Sequence, residues 1–152
     1  MAINIRKAER NDTSLILSLI RGIAEYERLL DQVEADPKLL EKELFDEQNA
    51  KVILAFDQST ILGFALYFYN FSTFKGKKGL YLEDLFVLPE HRSKGIGKAL
   101  FDYLVAEAKK TNCGRMEWVC LNWNDPAIAF YKKKKAIPLD DWIIFRLDER
   151  DF

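Results

Sequence analysis

Three strand-like apolar runs, Lys51 to Phe56, Ile61 to Tyr69 and about Leu80 to Leu88, follow one another with no helical segment between them. Strands joined this closely pair antiparallel, because a parallel pair needs a crossover of a dozen or more residues. Asp57-Gln58-Ser59-Thr60 is short enough for a hairpin, and the polar, basic stretch from Asn70 to Lys78, with Gly76, makes the second connection. Ile3 to Lys7 alternates apolar and polar as a short strand does. Asn11-Asp12-Thr13 offers helix-capping oxygens before Ile16, Leu19, Ile20 and Ile23, whose spacing predicts a helix to about Leu30. Asp36-Pro37 opens a second, shorter helix, with Pro where a missing N–H costs nothing.

Pro89 ends the third run. Gly95 to Thr111 then reads as a helix with Leu100, Leu104 and Ala108 on one face, Arg115 to Leu121 as a strand, Pro126 to Lys134 as a helix and Trp142 to Leu147 as a last strand. The order β-α-α-β-β-β-α-β-α-β predicts an α/β (α+β) fold, a mixed and mostly antiparallel central sheet with helices on both faces. No repeat or low-complexity linker divides the chain, so 1–152 reads as a single domain.

Composition excludes several kinds of chemistry. Twenty-three Lys+Arg against twenty-four Asp+Glu leave a net charge of −1, which argues against a general nucleic-acid binder. Two cysteines, Cys113 and Cys120, are too few for a disulfide scaffold or a Cys-based zinc site, and both read as small buried apolar residues. His91 is the only histidine and follows Pro89-Glu90 in a polar turn, a poor place for a Ser-His-Asp or Cys-His centre, so no metal is expected. The longest apolar run, nine residues from Ile61 to Tyr69, is too short to span a bilayer, and Met1 to Lys7 lacks the apolar core of a secretion signal. A cytoplasmic, reduced protein is the expectation.

The segment Arg92-Ser93-Lys94-Gly95-Ile96-Gly97-Lys98-Ala99-Leu100 lies between a predicted strand and a predicted helix. Its glycines let backbone approach a ligand closely, and the first free N–H groups of the helix with its dipole make an anion site. Arg92, Lys94 and Lys98 add positive charge, so a phosphate-bearing ligand is one reading and a solvated basic turn the other. Walker A has no match in these letters. G-x-G-x-x-G starts at Gly95 and Gly97 but meets Leu100 at the third glycine, and Glu117 falls inside a predicted strand rather than at its end. R-x-x-G-x-G directly after a strand fits from Arg92 to Gly97.

This pattern resembles the acetyl-CoA pyrophosphate loop of the GNAT acetyltransferases, whose element order the chain also resembles. A second stretch, Asn124-Asp125-Pro126-Ala127-Ile128-Ala129-Phe130-Tyr131, matches the later GNAT pattern N-x-x-A-x-x-F-Y. The resemblance implies acetyl-CoA as co-substrate, held by Arg92, Ser93, Lys94, Gly95, Ile96, Gly97 and Lys98 at the pyrophosphate, by Leu85, Phe86 and Val87 along the pantetheine, and by Asn124, Pro126, Ala127 and Tyr131. Where the family usually has a glycine after this helix, the chain has Lys135 within Lys132-Lys133-Lys134-Lys135-Ala136. That end must close without a glycine, although four lysines suit a helix C-terminus.

Tyr26-Glu27, Asp31-Gln32-Val33, Tyr81-Leu82-Glu83-Asp84 and Trp123-Asn124 narrow the resemblance to the diamine acetyltransferases, the spermidine/spermine N1-acetyltransferases and their thialysine N-epsilon-acetyltransferase relatives. It implies Tyr26, Glu27 and Glu83 as amine-binding residues, Asp141 as a counterpart of an acidic residue that helps hold the amine, and a homodimer. Acetyl transfer to a primary amine requires a neutral nitrogen. At pH 7 an amine of pKa near 10.4 lies about 3.4 units, roughly 4.6 kcal/mol, from that state. A carboxylate that pairs with the cation and takes its proton serves both needs, and Glu83 is the base candidate. In a regular strand Asp84 would point to the opposite face. Tyr131 is the general-acid candidate, since a phenol of pKa near 10 protonates a departing thiolate of pKa near 8.5 at a cost of about 1.5 units. Backbone N–H groups near Leu85 to Val87 would polarise the thioester carbonyl. A CoA-binding module without turnover, or a GNAT enzyme for a different amine, are the other readings.

Overall fold

Strands β1 (Asn4–Lys7), β2 (Lys51–Asp57), β3 (Thr60–Ser72), β4 (Lys77–Val87) and β5 (Met116–Glu117) form one sheet in chain order in the computed structural model, which describes residues 1–152. The first three pairings are antiparallel and β4–β5 is parallel, the mixed sheet the sequence predicts. Helices α1 (Thr13–Tyr26), α2 (Pro37–Glu41), α3 (Ile96–Lys110) and α4 (Asp125–Lys133) complete the regular structure. Two compact units make up the chain, Met1–Val119 and Cys120–Phe152. No helix is long and apolar enough to cross a membrane.

In the first unit the sheet is covered on both faces. Ile16, Leu19 and Ile23 of α1 pack against Val52, Leu54, Phe64, Leu66 and Phe86. Ile53, Ala65, Leu80 and Leu82 are buried as well, and so are Leu100 and Leu104 of α3. Near-continuous apolar runs in β2 and β3 follow from burial on both faces, since alternation is lost when neither face meets water. Each fully buried Leu or Ile contributes about 1.5–3 kcal/mol of transfer free energy.

Local ends differ from the sequence reading in instructive ways. Helix α1 stops at Tyr26 rather than near Leu30 because Arg28 turns left-handed (φ 63°), and the Leu29 N–H returns to the Ala24 carbonyl at 2.8 Å. Asp12 does not cap α1 with its side chain. Its carboxylate receives two bonds from the Arg6 guanidinium at 2.8 and 3.0 Å and one from the Glu9 N–H at 2.7 Å. Asp36 caps α2 as expected, accepting from the Leu39 N–H at 2.9 Å with Pro37 in the first turn. The connection between β3 and β4 shrinks to Thr73–Gly76, because ladder pairing continues to Ser72↔Lys77 and Gly76 (φ 65°) supplies the tight turn.

Two predicted strands are corrected. Arg115–Leu121 contributes only Met116–Glu117, paired with Leu80 and Tyr81. The next step on β4 reaches the irregularity between Leu82 and Asp84, where a straight partner can no longer follow. Trp142–Leu147 forms no strand. Its own unit holds one helix of any length and no second strand, so its backbone has no ladder to join, and Trp142, Ile143, Ile144 and Phe145 are exposed. The cysteines are corrected too: Cys113 is half-buried and Cys120 exposed. Cys113 sits in the surface turn after α3, just past the left-handed Asn112 (φ 61°), and Cys120 opens the second unit.

Helix α4 closes without glycine, as expected. Lys135 itself takes the left-handed conformation (φ 66°), and the Ala136 N–H reaches the Tyr131 carbonyl at 3.1 Å. A residue with a Cβ pays about 1 kcal/mol there. Lys135→Gly is therefore expected to raise Tm by about 2–4 °C in a thermal melt, and an unchanged or lower Tm would remove this account of the helix end.

Candidate active site

Strand β4 carries an irregularity at its centre. On β3, Leu66 and Tyr67 are neighbours, yet they pair with Asp84 and Leu82, so Glu83 faces no partner and is the extra residue of a β-bulge. Neighbouring residues on β3 point to opposite faces, so their partners do as well. Leu66 belongs to the core under α1, and Asp84 therefore lies on the α1 face together with Phe86, which packs in the same core. Leu82 and Leu80 follow Tyr67 and Tyr69 on the other face. Regular alternation would have put Leu82 and Asp84 on one face and separated Asp84 from Glu83.

Three carboxylates converge as a result. Burial, and then the nearby Glu83, push the Glu27 carboxyl above its ordinary range. Burial first, then Glu83 and Glu27, push Asp84 up to about 7. Like charges in a poorly hydrated place raise one another's pKa because ionising both is costly. Glu83 is exposed, whereas Asp84 and Glu27 are half-buried. Asp84 is the residue the sequence reading missed. Its signal, an acidic side chain beside an acidic side chain in a strand, is uninformative until a bulge turns both toward one region.

Arg92 joins the start of the glycine turn to this region. Its Nε donates to the Val87 carbonyl at 3.0 Å, and its guanidinium lies 4.7 Å above the Tyr26 ring and 5.5 Å from the Phe86 ring. The Phe86 ring in turn occupies the space where a side chain at Gly22 of α1 would begin. Tyr26, Glu27, Glu83, Phe86 and Arg92 thus assemble around the end of α1 and the second half of β4. Beyond Tyr81, no strand pairs with β4 on the side away from β3, so Leu85, Phe86 and Val87 present backbone along an open edge.

The turn itself has backbone that fits an anion. Ser93 (φ 63°) and Gly95 (φ 82°) are both left-handed, and open space lies where a Cβ of Gly95 would sit. Gly95 leads α3 with no side chain capping it, and the first bond within the helix runs from the Ala99 N–H to the Gly95 carbonyl at 3.0 Å. The N–H groups of Ile96, Gly97 and Lys98 precede that bond and have no partner within the helix. With the helix dipole they fit a pyrophosphate such as that of acetyl-CoA. The expected cationic side chains are occupied inside the chain: Arg92 as described, Lys94 with the Glu90 carbonyl at 3.4 Å, and Lys98 with Asp102 at 2.7 Å. What the turn offers an anion is therefore free backbone N–H groups, with Lys94 and Lys98 exposed beside them.

In the second unit, Asn124 precedes α4 and its side-chain oxygen accepts weakly from the Ala127 N–H at 3.4 Å, with Pro126 in the first turn. Tyr131 is half-buried on α4, its ring 5.5 Å from that of Phe130. Asp141 is exposed in the turn that closes with the Trp142 N–H on the Leu139 carbonyl at 3.2 Å.

Comparison with known proteins shows the family. The Acetyltransferase (GNAT) family model matches residues 18–135. Thialysine N-epsilon-acetyltransferase from Bos taurus is 34% identical over 158 aligned positions, covering 96% of this chain and 92% of the relative. Its counterpart from Mus musculus is 31% identical, with 95% and 91% covered. Among solved structures, an integron cassette protein from the mobile metagenome of V. cholerae superposes with a TM-score of 0.81 at 28% identity, covering 99% of this chain and 95% of that one. A left-handed glycine leading an uncapped helix after a bulged strand, with the family match spanning both motifs, leads to one conclusion: the chain belongs to the GNAT family of acetyltransferases.

Proposed function

We propose that this enzyme transfers the acetyl group of acetyl-CoA directly to a primary amine of a small polyamine, a diamine or a lysine analogue of the thialysine kind. The observation that carries this reading is the convergence of Glu27, Glu83 and Asp84, whose mutual repulsion a cationic acceptor relieves. Tyr26 stands beside Glu27 and offers an aromatic wall, and the relatives named for thialysine are about one-third identical over nearly the whole chain. Asp141 is a further contact for the amine. The residues 1–152 act as one catalytic domain, in a cytoplasmic homodimer.

Acetyl-CoA supplies a thioester that an amine can attack. The residues from Arg92 to Lys98 hold its pyrophosphate through backbone N–H groups, while the open edge at Leu85, Phe86 and Val87, with Asn124, Pro126 and Ala127, takes the pantetheine. Glu27 and Glu83 hold the ammonium, and Glu83 is the carboxylate that the sequence nominates for its proton. Backbone N–H groups of the 85–87 edge polarise the thioester carbonyl. The amine attacks the thioester directly, so no covalent acetyl-enzyme forms, and Tyr131 protonates the leaving sulfur.

The test is a thermal shift with acetyl-CoA followed by thiol release across an amine panel. Acetyl-CoA is expected to raise Tm, and thiol is expected to appear with thialysine, polyamines and diamines but not with neutral-tailed monoamines of equal length. A thermal shift with no thiol release from any amine would reduce the protein to a coenzyme-binding module. Release with the monoamines alone would remove the polyamine, diamine and lysine-analogue reading.

A further inference from the structure

We propose that the acceptor is a basic amino acid whose free α-carboxylate is received by the Arg92 guanidinium, while its side-chain ammonium lies among the acidic residues. This rests on the amine-acetyltransferase reading above and selects one substrate class within it.

Gly22 and Tyr26 stand one turn apart on α1, so they share a face of that helix. The Phe86 ring of β4 lies against Gly22, where an added Cβ would come within 2.9 Å of it. Tyr26 is thereby on the side of α1 that meets β4, and the Arg92 guanidinium reaches the Tyr26 and Phe86 rings at 4.7 and 5.5 Å. Its Nε is fixed as well, donating to the Val87 carbonyl at 3.0 Å. Nη1 and Nη2 take part in no hydrogen bond or ion pair within the chain, and Arg92 is exposed. A guanidinium held at its centre and at Nε, with both terminal nitrogens open, is suited to a carboxylate, which it binds through two parallel N–H···O bonds.

The surroundings give this cation its meaning. Glu27 follows Tyr26 directly, and Glu83 and Asp84 precede Phe86 on β4. Arg92 is not among the charges that bear on Glu27 or Asp84, so it neutralises neither. The site therefore has an anionic pole and a separate cationic one. A diamine or polyamine brings only positive charge and is repelled at Arg92. A basic amino acid matches both poles, with its side-chain ammonium among the carboxylates and its carboxylate on the guanidinium. Tyr26 touches Arg92 and adjoins Glu27, so its ring borders the chain that joins the two ends of such a ligand. Charge complementarity of this kind acts mainly by rejecting the wrong ligand.

The experiment compares each amino acid with the amine left when its carboxyl group is removed: lysine with cadaverine, ornithine with putrescine, and thialysine with its decarboxylated counterpart. The kcat/KM of each is measured at saturating acetyl-CoA for the wild type and Arg92→Met. In every pair that turns over, the wild type is expected to prefer the amino acid by about tenfold or more. The difference should lie mostly in KM, because the carboxylate sits at the far end from the nitrogen being acetylated. Arg92→Met is expected to bring the ratio to about one. Partial misfolding leaves that ratio unmoved, since it removes active enzyme equally for both members of a pair.

A second comparison needs only the wild type. The methyl ester of each amino acid keeps the bulk and loses the charge, so its KM is expected to match that of the decarboxylated amine. An ester as good as the free acid overturns the proposal, and so does a preference that survives in Arg92→Met. A wild type that treats the two members of each pair alike, or prefers the decarboxylated amine, overturns it too. A KM for acetyl-CoA raised tenfold in Arg92→Met, with the preference intact, would place the guanidinium on the pyrophosphate and overturn the proposal. A wild type inert with every acceptor instead overturns the amine-acetyltransferase reading, and this assignment with it.

Discussion

Tyr131→Phe is expected to lower kcat about a hundredfold while the Kd for acetyl-CoA stays within about twofold. The loss is confined to turnover because the hydroxyl is asked to act only as sulfur departs. General acids contribute 10²–10⁴, and a thiolate of pKa near 8.5 is already a fair leaving group, which puts the effect at the lower end of that range. The ring remains in the variant, with its edge-to-face contact to Phe130, so helix α4 keeps its packing. A second measurement isolates the role. An acetyl donor whose thiol is more acidic needs less help in leaving, so the deficit of the variant should shrink with it. A kcat within threefold of wild type, or a deficit that ignores the acidity of the leaving thiol, would take the acid role away from Tyr131.

Gly63→Ala is expected to cost about 3 kcal/mol, seen as a drop of about 6–12 °C in Tm. Gly63 lies on β3 opposite Val87, and a methyl group there would run into the Phe86 carbonyl oxygen and come within 3.1 Å of the Val87 Cα. Both obstacles are backbone, so relief requires parting β3 from β4. The consequence is also functional. Leu85, Phe86 and Val87 form the open edge assigned to the pantetheine, and the Val87 carbonyl anchors Arg92. Weaker acetyl-CoA binding should therefore accompany the loss of stability, read as a smaller thermal shift. A variant with wild-type Tm would show that the two strands yield more easily than close packing allows. At Gly97, by contrast, a Cβ would make only ordinary contact with the Val87 side chain at 3.7 Å. Its lack of a side chain bears on the approach of a ligand rather than on the fold.

Much of the architecture follows from short-range patterns. Three consecutive apolar runs lead to an antiparallel block because short connections leave no room for a crossover. The glycine turn is legible because left-handed backbone at Gly95 and an uncapped helix start are local properties. Lys135 shows the same: with no glycine available, the chain still closed α4 through a left-handed residue. Arg92 shows where local reading stops. Its charge is evident from the letters, yet it turns back to Val87, Tyr26 and Phe86, partners that lie at other places in the fold.

The chain by itself determined the order of elements as far as α4, the glycine turn, and the acidic residues at the end of α1 and on β4, since each depends on residue type and spacing over a few positions. Only the tertiary structure decided which carboxylates meet. Pairing between β3 and β4 leaves Glu83 without a partner beside Asp84, which shares the α1 face with Phe86, and Glu27 at the end of α1 bears on both carboxylates. Strand register is set by cross-strand packing, which no periodicity within one strand records.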